Sequence, residues 1–253
     1  MKLGILPGPG GTDGLVVVND DVTLCSDARH VAPDLLAAMR NWDRVAPELD
    51  LIARGLESGS QPVRRFHERE ALALLPQPPL WIAPPDHPTP GVNASFQAPR
   101  GLVPQDTVAV EVGLALILGD LPQHSSLAQA AAAIRLVALF AHLFGPAGYI
   151  ASRLSPVAVS PDALGWAGGQ MAAAVRVEHA SRRDVYEIAP ADLASLVSAA
   201  TGTAPIQAGS LVGAPALTGP LDLDATGAPL RLEMADARFH SALGAIELQT
   251  AAA

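Results

Sequence analysis

The sequence predicts a β-rich α+β fold with many short strands and few helices. Strand-like runs at Thr107–Leu118, Ser155–Val159, Met171–Glu178 and Asp184–Ile188 are set apart by turn-forming residues. Apolar residues at helical spacing are confined to a few short segments. The chain has 253 residues, is 49% hydrophobic and has a mean hydropathy of +0.28, enough apolar surface for a real core.

The elements follow in order. "LGILPGPGGTDGLVVVNDDVTLCSD" (Leu3–Asp27) alternates short apolar runs with turn signals, so two strands are expected to join through Asn19–Asp20–Asp21. "APDLLAAMRNWDRVAPELDLIARGLESG" (Ala32–Gly59) has helical spacing, and Pro47 predicts a break into two helices. Ser58–Arg65 reads as a polar linker. From Pro76 to Pro104 the chain, with "LPQPPLWIAPPDHPTPG" at its start, is too rich in proline for much regular structure. A boundary near residue 75 divides a small N-terminal α/β domain, 1–75, from a core domain, 76–253. Helices are expected at Ser126–Ile134, capped by Ser125 or Ser126, and at Pro190–Ala200, with Asp192 in the first turn.

Composition removes several function classes. Net charge is −9 and the pI is near 5.1, with basic pairs only at Arg64–Arg65 and Arg182–Arg183. Neither nucleic acid nor an anionic membrane is an expected partner. The most apolar stretch, Leu127–Phe144, contains Arg135 and His142 and does not read as a membrane span. One cysteine, Cys25, fits a reducing compartment, and a cytoplasmic location is expected. The low charged content, 16%, points to an oligomer. GxGxxG, P-loop, GxSxG and HExxH patterns are all missing. One residue stands out: Glu111, a carboxylate inside "VAVEVGLALILGDLP" (Val108–Pro122). Burying it requires a partner.

Several strings give the chain a family likeness. "AVEVGLALILGDLP", "AAAIRLVALF", "SPVAVSPDALG" and "LVSAATGTAPIQAGSLVG" occur in that order, and "GLVVVNDDVT…APDLLAAMRNWDRVAPEL" precedes them. Together they resemble the fumarylacetoacetate hydrolase family. The resemblance implies a small N-terminal domain and a mostly antiparallel β-roll core, usually dimeric. It also implies Mg²⁺-dependent hydrolysis, decarboxylation or isomerisation of β-dicarbonyl and oxo-acid compounds.

Carried over by motif, the first metal-binding carboxylate falls on Glu111 and the second on Gly113, which has no side chain. The third falls in "RLVALFAH" on His142, and the loop holding the family's histidine base is contracted to "IAPPDHPTPG", which contains Asp86 and His87. The family's lysine falls on Arg153 of "ASRLSP", and its closing loop on "GAPALTG", where Thr218 is displaced. Two donors are far short of the six or so oxygens a hard divalent ion takes. The expectation is therefore a chain that has lost the metal-dependent hydrolase site, uses no cofactor, and acts as a small-molecule-binding or partner subunit, homodimeric or paired with a paralogue. Glu111 would contact Arg153 or His142. The alternatives are a metal-independent enzyme using Glu111, His142, Arg153 and His87 on an enolisable dicarbonyl or oxo acid, or a metal-dependent acylpyruvate-type hydrolase.

Overall fold

The computed structural model describes residues 1–8, 11–83, 95–104, 106–165, 174–179, 182–187, 192–214, 221–222, 228–235 and 240–250. It opens with an antiparallel meander of β1 (Lys2–Pro7), β2 (Asp13–Val18) and β3 (Leu24–Asp27). The β2–β3 turn is held by Asn19, whose Oδ1 accepts from the backbone N–H groups of Thr23 and Leu24 at 2.9 and 2.8 Å.

Two helices follow, α1 (Leu35–Arg40) and α2 (Trp42–Glu57). The Asp34 carboxylate caps α1 by accepting from Ala37 N–H at 2.7 Å. The break expected at Pro47 lies instead at Asn41, which leaves helical geometry at φ −125° and whose Nδ2 donates to the Ala37 carbonyl. Pro47 sits inside α2 as its sixth residue, where it leaves the Asp43 carbonyl without its helical N–H donor but does not end the helix. The polar run expected as a linker ends in β4 (Arg64–Arg65), which pairs with β3.

Among the described residues of 76–104, the strands are β5 (Trp81–Ile82), β6 (Phe96–Gln97) and β7 (Arg100–Val103). The two longest strands of the large sheet come next: β8 (Ala109–Leu118) and, after α3 (Leu127–Ala133), β9 (Ile134–Gly145). Ser126 and Gln129 form a reciprocal capping box at the start of α3. Then come β10 (Gly148–Leu154), β11 (Val157–Val159), β12 (Ala174–His179) and β13 (Arg182–Glu187). Helix α4 (Leu193–Ala200) is capped by Asp192, and β14 (Leu211–Gly213), β15 (Leu221–Asp222), β16 (Leu230–Ala235) and β17 (Ser241–Thr250) complete the described chain.

A 12-stranded sheet carries the order β4-β3-β2-β1-β11-β9-β8-β14-β5, with β10 on β9, β6 on β10 and β15 on β8. A 5-stranded sheet runs β13-β12-β16-β17-β7. Pairing is antiparallel except at β6–β10, β5–β14 and β7–β17. The N-terminal meander continues the large sheet, because β1 pairs with β11 and sets Lys2 opposite Val159. The large sheet separates two cores. Val110, Val112, Leu114 and Leu116 face the smaller sheet, while Ala115, Ile117, Phe140 and Trp81 face α1 and α2. No helix among the described residues is long and apolar enough to cross a membrane.

Candidate functional site

Strand register decides which of the candidate residues meet. Glu111 on β8 lies opposite His142 on β9, and His142 lies opposite Ser152 on β10. Side chains in one such row project from the same face. The adjacent row is Val112, Ala141 and Arg153, and it projects from the other face.

That alternation corrects one expectation. Arg153 is not the partner of Glu111, because the pleat sends the two side chains to opposite sides of the sheet. The guanidinium turns toward the smaller sheet, where its Nη1 donates to the carbonyls of Ala98 and Arg100 and its Nη2 to that of Leu102, at 2.5, 3.0 and 2.9 Å. Only 3% of Arg153 is exposed, and burial pushes its pKa down. A planar fork with five donors suits a ladder of carbonyls, which a lysine ammonium could not span.

His142 is fully buried. Its ring packs edge-on against Trp81, with centroids 5.0 Å apart at 79°, and tilted over Phe140 at 4.3 Å. Its Nδ1 shares a hydrogen with Ser152 Oγ at 2.6 Å, and Ser152 Oγ is 2.8 Å from the Tyr149 hydroxyl. Burial pushes the Tyr149 phenol pKa up, the Ser152 hydrogen bond acting against it. Glu111 is half-buried on the same face.

Gly113, where the resemblance places a second carboxylate, lies opposite Phe140. A Cβ added there would come within 2.4 and 2.5 Å of two Phe140 ring carbons and 3.1 Å of the Ala214 carbonyl. The buried Phe140 ring thus occupies the volume of the missing side chain. Asp86, His87 and Thr218 lie outside the described residues. Among the described residues no three His, Cys, Asp or Glu side chains gather as metal ligands. Glu111 and His142 alone do not fit the oxygen-rich shell of a hard divalent ion.

Residues 1–77 match the family model described as Fumarylacetoacetase N-terminal domain 2. Solved structures match over nearly the whole chain. Maleylpyruvate hydrolase from Sphingobium sp. SYK-6 has a TM-score of 0.73 at 13% identity, covering 99% of both chains. The fumarylacetoacetate hydrolase of Exiguobacterium antarcticum has a TM-score of 0.70 at 13% identity, covering 100% of both. This is a fumarylacetoacetate hydrolase fold. The resemblance read from the sequence holds, over residues 1–77 by the family model and over the chain by the fold. A 5-carboxymethyl-2-hydroxymuconate delta-isomerase from Mycobacterium smegmatis shares the fold at 14% identity, with a TM-score of 0.61 and 99% of both chains covered. Hydrolases and an isomerase are therefore among its neighbours. No curated protein sequence matches the chain.

The expectation of no cofactor is corrected by these neighbours. The same Sphingobium hydrolase has been solved in complex with manganese(II) ion and pyruvate, and that structure covers 99% of this chain at a TM-score of 0.72. A protein of this fold thus binds a metal ion.

Sequence reasoning found Glu111 and His142 and missed Ser152 and Tyr149. Their signal was the "GPAG" turn at 145–148, which folds β10 back along β9. That signal alone misplaces them, because a bulge between Tyr149 and Ala151 shifts the register by one residue.

Proposed function

We propose that this chain binds a small oxo-acid or dicarbonyl compound on the Glu111–His142 face and no longer performs metal-dependent C–C hydrolysis. It would act as a cytoplasmic small-molecule-binding or partner subunit, homodimeric or paired with a paralogue. The observation that carries this reading is Phe140 standing in the place of a second carboxylate at Gly113. A strand that has refilled that volume with a buried ring supports binding more than bond cleavage, because the oxygen donors that would polarise a carbonyl are reduced there.

A second reading has its own support. Glu111 and His142, with His87 of the sequence as a further candidate, would do acid–base work on an enolisable dicarbonyl or oxo acid. The Ser152 hydrogen bond favours it, since a base held by an oriented partner is a common catalytic arrangement.

The test runs every arm with and without added manganese(II). Acylpyruvates are offered as substrates, and pyruvate and oxalate as ligands. Pyruvate or oxalate should raise the melting temperature, and no acylpyruvate should be cleaved above background. Cleavage that rises with manganese(II) would overturn the proposal. Metal-independent turnover lost in both Glu111→Gln and His142→Gln would favour the second reading.

A further inference from the structure

Where the α1–α2 corner meets the ends of β8 and β9, a cavity of about 340 Å³ opens between them. Arg40, Asp43 and Arg44 line it from the corner, and Asp120 and Arg135 from the large sheet. Gly119, also in its wall, is eight residues beyond Glu111, roughly 26 Å along the strand direction. The cavity is therefore separate from the Glu111–His142 face.

Three guanidiniums against two carboxylates leave one surplus positive charge here, in a chain whose net charge is −9. A cleft with surplus charge concentrates ions of the opposite sign. The two carboxylates do little to occupy the arginines. Asp120 Oδ1 accepts from the Ala208 N–H at 2.9 Å. The Asp43 side chain is 93% exposed and stands 3.4 Å from Arg135 Nη2, and an ion pair so exposed holds weakly. Among the described residues, Arg40 and Arg44 make no side-chain hydrogen bond or ion pair, and Arg135 Nε has no acceptor. A Cβ added at Gly119 would come within 3.1 Å of that Nε, so the glycine leaves the space the guanidinium uses.

The geometry points to a second binding site, in which Arg40, Arg44 and Arg135 hold a small dianion, a phosphate ester or a dicarboxylate. Each guanidinium is a planar fork of N–H donors that matches paired oxyanion oxygens. Three forks ask for more acceptor oxygens than the two of a monocarboxylate, and a phosphate or a second carboxylate supplies them. A dianion held there also joins the α1–α2 corner to β9, where the exposed Asp43–Arg135 pair is otherwise the ionic link. The site does not depend on what the Glu111–His142 face binds.

Isothermal titration calorimetry of the full chain tests this at neutral pH and constant ionic strength, without added metal, with inorganic phosphate and with succinate. At least one of them should bind saturably, and chloride should not. Binding of phosphate alone marks a phosphate ester, and binding of succinate alone a dicarboxylate. Arg40→Gln and Arg44→Gln break no contact among the described residues and should fold. Each should weaken binding about tenfold, the worth of one hydrogen bond to a charged group. Asp43→Asn should tighten binding, because it takes a competing carboxylate from Arg135. Opposite signs at neighbouring positions are not what loss of a merely structural contact would give. Arg54→Gln, exposed in the last turn of α2, should change nothing, and neither should Glu111→Gln. Absence of saturable binding by both dianions would overturn the inference. So would native affinity in both Arg40→Gln and Arg44→Gln, or binding lost in Glu111→Gln or in Asp43→Asn.

Discussion

At the scale of single residues, Gly113 and Phe140 act as one unit. The phenyl ring fits only because the facing residue has no Cβ, and its two nearest carbons leave no slack. Gly113→Ala should therefore destabilise the protein by about 1–3 kcal/mol, the usual cost of overpacking a tight core. Urea denaturation measures this, and an unchanged midpoint would show that the ring can move aside. Much of this site was legible from motif order alone, which marked Glu111, Gly113 and His142. The substitution at 113 was visible, but its cause was not. No local pattern says that the ring filling the gap comes from Phe140 on another strand, two residues before His142.

Elements show the same division between what is local and what is not. Helix α3 was readable because its start is written within four residues, from Ser126 to Gln129. Ser126→Ala removes the side-chain half of that box and should cost about 1 kcal/mol in chemical denaturation. A cost near zero would mean that packing against α4 alone holds the helix. The break between α1 and α2 was misplaced, since proline is the stronger sequence signal but Asn41 makes the actual capping bonds. The β10 bulge was invisible for a related reason. Without it Ser152 would face Ala141, and the His142–Ser152 bond would not exist.

Across the whole molecule, Arg153 ties the large sheet to the smaller one. Its three hydrogen bonds end on residues 98–102, which lead into and form β7 at the edge of the smaller sheet. Arg153→Met keeps much of the volume but leaves those carbonyls without their donor. The loss should be about 1–3 kcal/mol per stranded buried group that water cannot reach. Hydrogen exchange should then rise first in β7 and at its pairing with β17, ahead of global unfolding. Uniform protection in the variant would refute the tie. The order of motifs made the architecture readable, while this link depends on which face of a strand Arg153 occupies. The Gly113–Phe140 fit also constrains the path by which the sequence can change. Placing a carboxylate at 113 first meets a rigid ring, and trimming Phe140 first leaves a cavity that costs about 3–5 kcal/mol. Neither single step is neutral, so drift cannot easily carry the strand back. A two-step return needs a stabilising change elsewhere to come before it.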